Sequence, residues 1–189
     1  EPFCSLDMHV KLKLRSELPN ILRGCNASGL MVTHDPEEAM SICDKVAVMN
    51  EGKIHQIDTP INLLNNPKTS FVSSFILGNN ILNLKKNGNE YLSCLCEINS
   101  SELLNNTNLK SMSISPKFIS IKRSRSGNAT VLSKEFLGEY LIYKVSINEN
   151  ILRVRTNINN LLNIGDKCSL SIEKNSFYFL YPGAHKVYI

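Results

Sequence analysis

The chain has 189 residues, of which 42% are hydrophobic and 20% charged, and its mean hydropathy is -0.12. That balance is globular rather than disordered or fibrous, and the length admits one large domain or two small ones. The formal charge of +4 is small but uneven: residues 1–70 carry 7 basic against 9 acidic side chains, and residues 71–189 carry 14 against 8, which suggests two units.

Chain order supports the division. From Asp7 onward Val10, Leu14 and Leu18 recur every fourth residue with Lys11, Lys13, Arg15 and Glu17 between them, which predicts a helix with one apolar face. Pro19 should kink or end it. Residues 29–33 are a short continuous apolar run, as expected of a strand buried on both faces of a parallel sheet. Asp35-Pro36-Glu37-Glu38 then reads as a helix start, with Asp35 as N-cap, Pro36 in the first turn and Glu38 placed for a capping box; the helix should run to about Cys43. Residues 45–49 and 53–57, joined by Asn50-Glu51-Gly52, predict a hairpin. Thr59-Pro60 caps a short helix, and residues 70–77 predict another. That last stretch holds the longest apolar run, broken by Ser73 and Ser74, and falls short of the ~18 residues that a membrane-spanning helix needs.

After Gly78-Asn79-Asn80 the helical periods give way to β runs at 91–96, 111–115, 118–122, 129–136, 139–147, 151–156, 167–173 and 176–181. Many short strands separated by turn signals imply a small barrel or sandwich. Residues 140–147 and 151–155 flank Asn148-Glu149-Asn150 and should pair as a hairpin. Ser111-Met112-Ser113-Ile114-Ser115-Pro116-Lys117-Phe118 is echoed by Ser169-Leu170-Ser171-Ile172-Glu173-Lys174-Asn175-Ser176-Phe177, which suggests two related strand-turn-strand units. Lys122-Arg123-Ser124-Arg125 reads as a solvated loop. The six cysteines (Cys4, Cys25, Cys43, Cys94, Cys96, Cys168) read as reduced thiols, and the Cys94/Cys96 spacing falls short of a zinc site.

Two places could carry chemistry. Glu1-Pro2-Phe3-Cys4-Ser5-Leu6-Asp7 could be no more than a helix cap, or it could be part of a site. His34 could be a hydrogen-bonded structural residue, yet it stands at the carboxyl end of the apolar run at 29–33, where ligands of α/β sheets bind. His9, His55 and His185 are far apart in sequence, and no role is assigned to them.

A family resemblance joins these places. Glu1 to Asp7 looks like the end of the Walker B motif and the D-loop of an ABC transporter ATPase, and Val32-Thr33-His34-Asp35-Pro36-Glu37-Glu38-Ala39-Met40 looks like its H-loop segment. Asp44-Lys45-Val46-Ala47-Val48-Met49-Asn50-Glu51-Gly52-Lys53-Ile54, with Gln56 and Asp58-Thr59-Pro60, is similar to the hairpin that closes that domain. Residues 79–189, with Phe136-Leu137-Gly138-Glu139 and the repeated Ser-x-Ser-Ile, resemble the OB-like TOBE domain appended to the ATPases of maltose, polyamine, sulfate and ferric-iron importers. The expected fold class is therefore an α/β fragment, the C-terminal part of an ABC ATPase domain (residues 1–78), followed by an all-β OB-like TOBE domain (79–189).

The resemblance implies that Glu1 is the general base or water-positioning carboxylate and that His34 contacts the γ-phosphate. Ser5 and Asp7 would reach across a dimer of ATPase subunits to the twin nucleotide site. It implies ATP and Mg²⁺ for the full-length subunit, transmembrane permease subunits as partners, an external substrate-binding protein indirectly, and no nucleic acid. The place of work would be the cytoplasmic face of the bacterial inner membrane. Gly78-Asn79-Asn80-Ile81-Leu82 looks closest to ferric-iron importers, a cue shared partly with sulfate and polyamine systems. The start at Glu1, with no initiator Met, reads as a cut through a longer protein. The glycine-rich Walker A loop, the Q-loop, the signature motif and the Walker B aspartate would all precede it, so the fragment alone is expected to be inactive. Cys4 stands where Ser or Ala is commoner, and Pro19 interrupts a helix that the family usually leaves continuous. Two other functions are compatible with the composition: a regulatory or dimerisation module that binds a small ligand or oxyanion through the β domain, and an OB-like nucleic-acid binder. Tyr140, Tyr143 and Lys144 do not keep one face, which argues against the second.

Overall fold

Asp7 accepts the backbone N–H groups of His9 and Val10, each at 3.0 Å, and this cap starts helix α1, Met8–Gly24. The chain is described here from a computed structural model that covers residues 1–3, 5–99, 108–159 and 161–189. Pro19 lies inside α1, so the helix does not end there. Proline removes a single donor from the ladder, and the turns on either side hold the remaining bonds. Residues 29–33 form no strand, which corrects the expectation of a buried parallel strand: Leu30 is 97% exposed and Val32 70%. A strand needs a neighbour for its N–H and C=O groups, and no ladder runs along this segment among the described residues.

Helix α2, Pro36–Ile42, starts at its Asp35 cap, whose carboxylate accepts the Glu37 N–H at 2.9 Å. The capping box is modified. Asp35 N–H donates to Thr33 Oγ1 at 3.0 Å, and Thr33 Oγ1 donates to Glu38 Oε2 at 2.5 Å, so Thr33 relays the bond that Glu38 was expected to make directly. Strands β1 (Val46–Asn50) and β2 (Lys53–Asp58) pair antiparallel through a two-residue turn in which Glu51 and Gly52 both have positive φ, the primed geometry that matches strand twist. Thr59 caps α3, Pro60–Asn65, by accepting the Asn62 N–H at 3.3 Å. These elements belong to the first of two compact units, Glu1–Pro67.

The second compact unit, Lys68–Ile189, begins with α4, Ser70–Leu77, which is capped by Thr69 and ended by Gly78 in the left-handed region. The compact units thus divide ahead of α4, whereas the sequence division at residue 78 follows it. Inside the unit Ser73, Ser113 and Asn79 form a buried polar cluster: the two hydroxyls lie 2.6 Å apart, and the Asn79 amide donates to them at 3.1 and 3.2 Å. Burial pushes the nearby Tyr181 phenol up to about 12, against a hydrogen bond with Ser73.

The rest of this unit is β. One sheet runs β11-β10-β9-β12-β8, built from β8 (Ile119–Arg123), β9 (Ala129–Phe136), β10 (Tyr140–Ile147), β11 (Asn150–Asn157) and β12 (Lys167–Ile172). A second runs β14-β13-β7-β3, from β3 (Asn80–Asn83), β7 (Ser111–Ile114), β13 (Phe177–Tyr181) and β14 (His185–Tyr188). A small sheet joins β4 (Lys85–Asn87), β5 (Glu90–Leu92) and β6 (Glu97–Asn99). One core fills the space within, with Leu82, Met112, Tyr143, Val145, Val154 and Leu180 all fully buried. The architecture is an α/β unit followed by a β-rich, OB-like unit that opens on α4. Asn80 supplies a link beyond the ladders: its amide donates to Arg153 O and accepts from Arg153 N, each at 2.8 Å, which ties β3 to the edge strand β11.

The β10–β11 hairpin forms with Ile147 opposite Asn150. The repeated segments become β7–β8 and β12–β13, and each strand of one unit pairs with the opposite strand of the other, β7 with β13 and β8 with β12. Phe118 and Phe177, equivalent in the repeat, meet edge to face at 5.1 Å. Two expectations are corrected. Residues 91–96 give only the short β5, because the Ser93 hydroxyl accepts the Leu95 and Cys96 N–H groups and closes a turn. Lys122 lies in β8, as the run at 118–122 predicted, and the strand continues through Arg123, which pairs with Asp166, so the loop begins only at Ser124. The described cysteines are all free thiols, and burial raises those of Cys43, Cys94, Cys96 and Cys168; Cys4 lies outside the described residues. No described helix is long and apolar enough to cross a membrane.

Candidate functional site

Glu1 and His34, far apart in sequence, meet in the first unit. His34 Nδ1 lies 3.1 Å from Glu1 Oε1. His34 stands between the unpaired apolar segment and the Asp35 cap of α2, and its side chain is 76% exposed. The pair opens into a shallow cavity of about 130 Å³ lined by Glu1, Lys11, Thr33, His34, Asp35 and Glu38.

The wall of this cavity is an ion-pair cluster that the sequence reading did not identify. Lys11 and Arg15, one turn apart on α1, face Asp35 and Glu38, one turn apart at the start of α2. Lys11 Nζ lies 2.5 Å from Glu38 Oε1 and 3.3 Å from Asp35 Oδ2; an Arg15 terminal nitrogen lies 3.1 Å from Asp35 Oδ2 and 3.7 Å from Glu38 Oε1. Glu38 is almost wholly buried, and a buried carboxylate needs such partners. The matching i,i+4 and i,i+3 spacings of opposite charge were visible in the sequence, but nothing there brings the two helices together.

The electrostatics follow from these contacts. The hydrogen bond from His34, and then the charge of its ring, hold the Glu1 carboxyl below the usual carboxylate range. Hydrogen bonds from Lys11 and then Thr33 do the same for Glu38, against burial. Burial raises Asp35 most, yet the Lys11 hydrogen bond and the N–H groups of Glu37 and Glu38 together outweigh it and leave the carboxyl lowered. Lys11 is raised, first by its bond to Glu38.

An ionised Glu1 of lowered basicity is better suited to orienting a water molecule than to taking a proton from it outright. With Nδ1 engaged to Glu1, His34 Nε2 is free to face outward, and it donates toward an anion only when the ring is protonated. Ser5 and Asp7 do not line this cavity. Both are exposed, and the Asp7 carboxylate is engaged as the α1 cap. Among the described residues no cluster of His, Cys, Asp or Glu makes a metal site.

No family model matches the chain. It is similar to the spermidine/putrescine import ATP-binding protein PotA of Bacillus thuringiensis (strain Al Hakam), 47% identical over 92 residues, or 49% of this chain and 27% of that protein. The protein of the same name from Bacillus anthracis gives the same figures. The one from Trichormus variabilis is 46% identical over 81 residues, 43% of this chain and 21% of the relative. The chain therefore matches about a quarter of the length of these curated relatives. They support an importer ATP-binding subunit of the kind the motifs imply, and they give no support to the ferric-iron cue drawn from residues 78–82.

Proposed function

We propose that the chain is the C-terminal part of the ATP-hydrolysing subunit of an ABC importer and that the cargo of the complete transporter is a polyamine. The observation that carries the enzymatic reading is the 3.1 Å bond between Glu1 and His34, the two residues to which the family resemblance assigns the water-positioning and γ-phosphate roles. The cargo reading rests on the spermidine/putrescine importers that the chain resembles.

In this reading ATP is the substrate, and its phosphates would be cradled by family motifs that precede Glu1. Glu1 holds the attacking water in line while His34, oriented by Glu1, faces the γ-phosphate. Catalysis is by positioning and charge stabilisation. Mg²⁺ would accompany the nucleotide, and the described residues supply no ligand set for it, so no step is routed through it. Ser5 and Asp7 lie on the surface offered to a second ATPase subunit, and residues 79–189 act as the TOBE-type domain that supports a symmetric dimer at the cytoplasmic face of permease subunits.

The test uses the full-length subunit. Glu1→Gln keeps the size of the side chain and one acceptor oxygen and removes its charge; it is expected to lower ATP turnover by roughly 100-fold or more while nucleotide still binds. His34→Ala is expected to lower turnover far more than affinity. Wild-type turnover in either variant refutes the assignment, and transport of a cargo other than polyamines by the assembled transporter refutes the cargo reading alone.

A further inference from the structure

We infer that Lys11 and Arg15 are positioning residues for His34 and that, through them, the start of α1 at Asp7 is mechanically tied to the histidine. The inference deepens the function proposed above and rests on it.

The His34 ring is mostly exposed, with Glu1 as its hydrogen-bond partner, so its place is set largely by its own backbone. That backbone is pinned on both sides. Thr33 Oγ1 accepts the Asp35 N–H at 3.0 Å and donates to Glu38 at 2.5 Å; Asp35 uses Oδ1 for the Glu37 N–H and Oδ2 for Lys11 and Arg15. Moving His34 therefore breaks a bond at Thr33 or at Asp35, and both bonds depend on acids held by α1. Two neighbouring carboxylates, one almost wholly buried, would repel each other without the two cations opposite. Arg15 Nε is itself buried without a partner among the described residues, a desolvation cost incurred in placing the guanidinium on both acids.

The link continues to the start of the helix. Lys11 N–H donates to Asp7 O at 2.9 Å in the first turn of α1, the turn that the Asp7 carboxylate caps. A rotation or shift of that turn moves the Lys11 ammonium, then Glu38 and Asp35, then the Thr33-His34-Asp35 backbone. A contact made at Asp7 by a second subunit thus has a continuous chain of bonds to the histidine. Lys11 lines the cavity, yet its ammonium is held between two carboxylates, which makes it a brace rather than a phosphate ligand.

The test is a double-mutant cycle on steady-state ATP hydrolysis by the full-length subunit. Lys11→Met is expected to lower kcat by about tenfold or more while KM for ATP changes less than about twofold, since misplacing a catalytic group by 1 Å can cost up to about 100-fold. Lys11→Arg should restore most of the rate. In a His34→Ala background Lys11→Met should add less than about twofold, because the group it positions is gone; equal losses in both backgrounds, or a loss confined to KM, overturn the inference. Should Lys11→Met fail to fold, Thr33→Val preserves side-chain volume and the Lys11–Glu38 pair while removing the relay, and the same dependence on His34 decides. If His34→Ala alone leaves turnover intact, the reading of the site fails first and the inference with it.

Discussion

Asn80→Ala tests whether a single side chain closes the β unit. The Asn80 amide makes two 2.8 Å bonds to the backbone of Arg153, one as donor and one as acceptor, and so occupies the place of a missing strand neighbour beside β11. Alanine leaves the N–H and C=O of Arg153 without these partners. A neutral hydrogen bond contributes about 0.5–1.5 kcal/mol net, so two give about 1–3 kcal/mol; partial access of water to this edge favours the lower half of that range. For a unit of roughly this size each kcal/mol lowers Tm by about 4 °C, so a fall of about 4–8 °C is expected. The chain has no Trp, but Tyr91, Tyr143, Tyr178 and Tyr181 are buried in this unit, so near-UV circular dichroism of tyrosine follows its melting. A change under about 1 °C would refute the claim that the Asn80 link matters to closure. Retained stability with faster amide exchange along β11 would refute only the magnitude.

Gly127→Ala should destabilise the same unit by at least about 1–3 kcal/mol, because its Cβ would stand 2.1 Å from the carbonyl oxygen of Cys168 and only a backbone shift relieves that; denaturant midpoints measure it. The contact between α1 and α2 should be insensitive to pH between about 5 and 10. Asp35 and Glu38 are lowered, so their contribution is complete above the ordinary carboxylate range and is lost as pH falls below about 4; Lys11 is raised, so its contribution is complete below the ordinary lysine value and is lost as pH rises beyond about 10.5. Hydrogen exchange of α2 across that range checks both limbs. Leu30→Ser should change the stability of this chain by less than about 0.5 kcal/mol, since the side chain is almost fully exposed.

What the sequence made legible was local. Asp35-Pro36 and Thr59-Pro60 mark helix starts because a cap side chain and a fixed φ act within one turn, and both helices begin there. The Asn148-Glu149 turn, with Asn148 at positive φ, sets the β10–β11 register in the same way. Residues 29–33 misled because apolar β-branched content describes a strand's surroundings, and those are supplied by other strands. β3 and β14 were missed because Asn80-Ile81-Leu82-Asn83 and His185-Lys186-Val187-Tyr188 are short and polar, and they exist as strands through the neighbours β7 and β13. At the candidate site Glu1 and His34 came from family motifs, whereas Lys11, Arg15 and Thr33 gained meaning only when the fold set α1 against α2.

The exchange of partners between the two repeated strand pairs governs how the β unit can be made. β7 emerges early from the ribosome, but one of its neighbours is β13; β8 likewise waits for β12. The larger sheet is complete only when residue 172 has been synthesised and has left the exit tunnel, and the other only at residue 188. Until then β7, whose four residues are all buried in the finished unit, presents an unpaired edge to solvent. Such long-range pairing slows folding and lengthens exposure to aggregation. A chain interrupted at Glu173 would retain every strand of the larger sheet yet lose β13 from the middle of the other, and is expected to be a substrate for proteolysis rather than a smaller folded product.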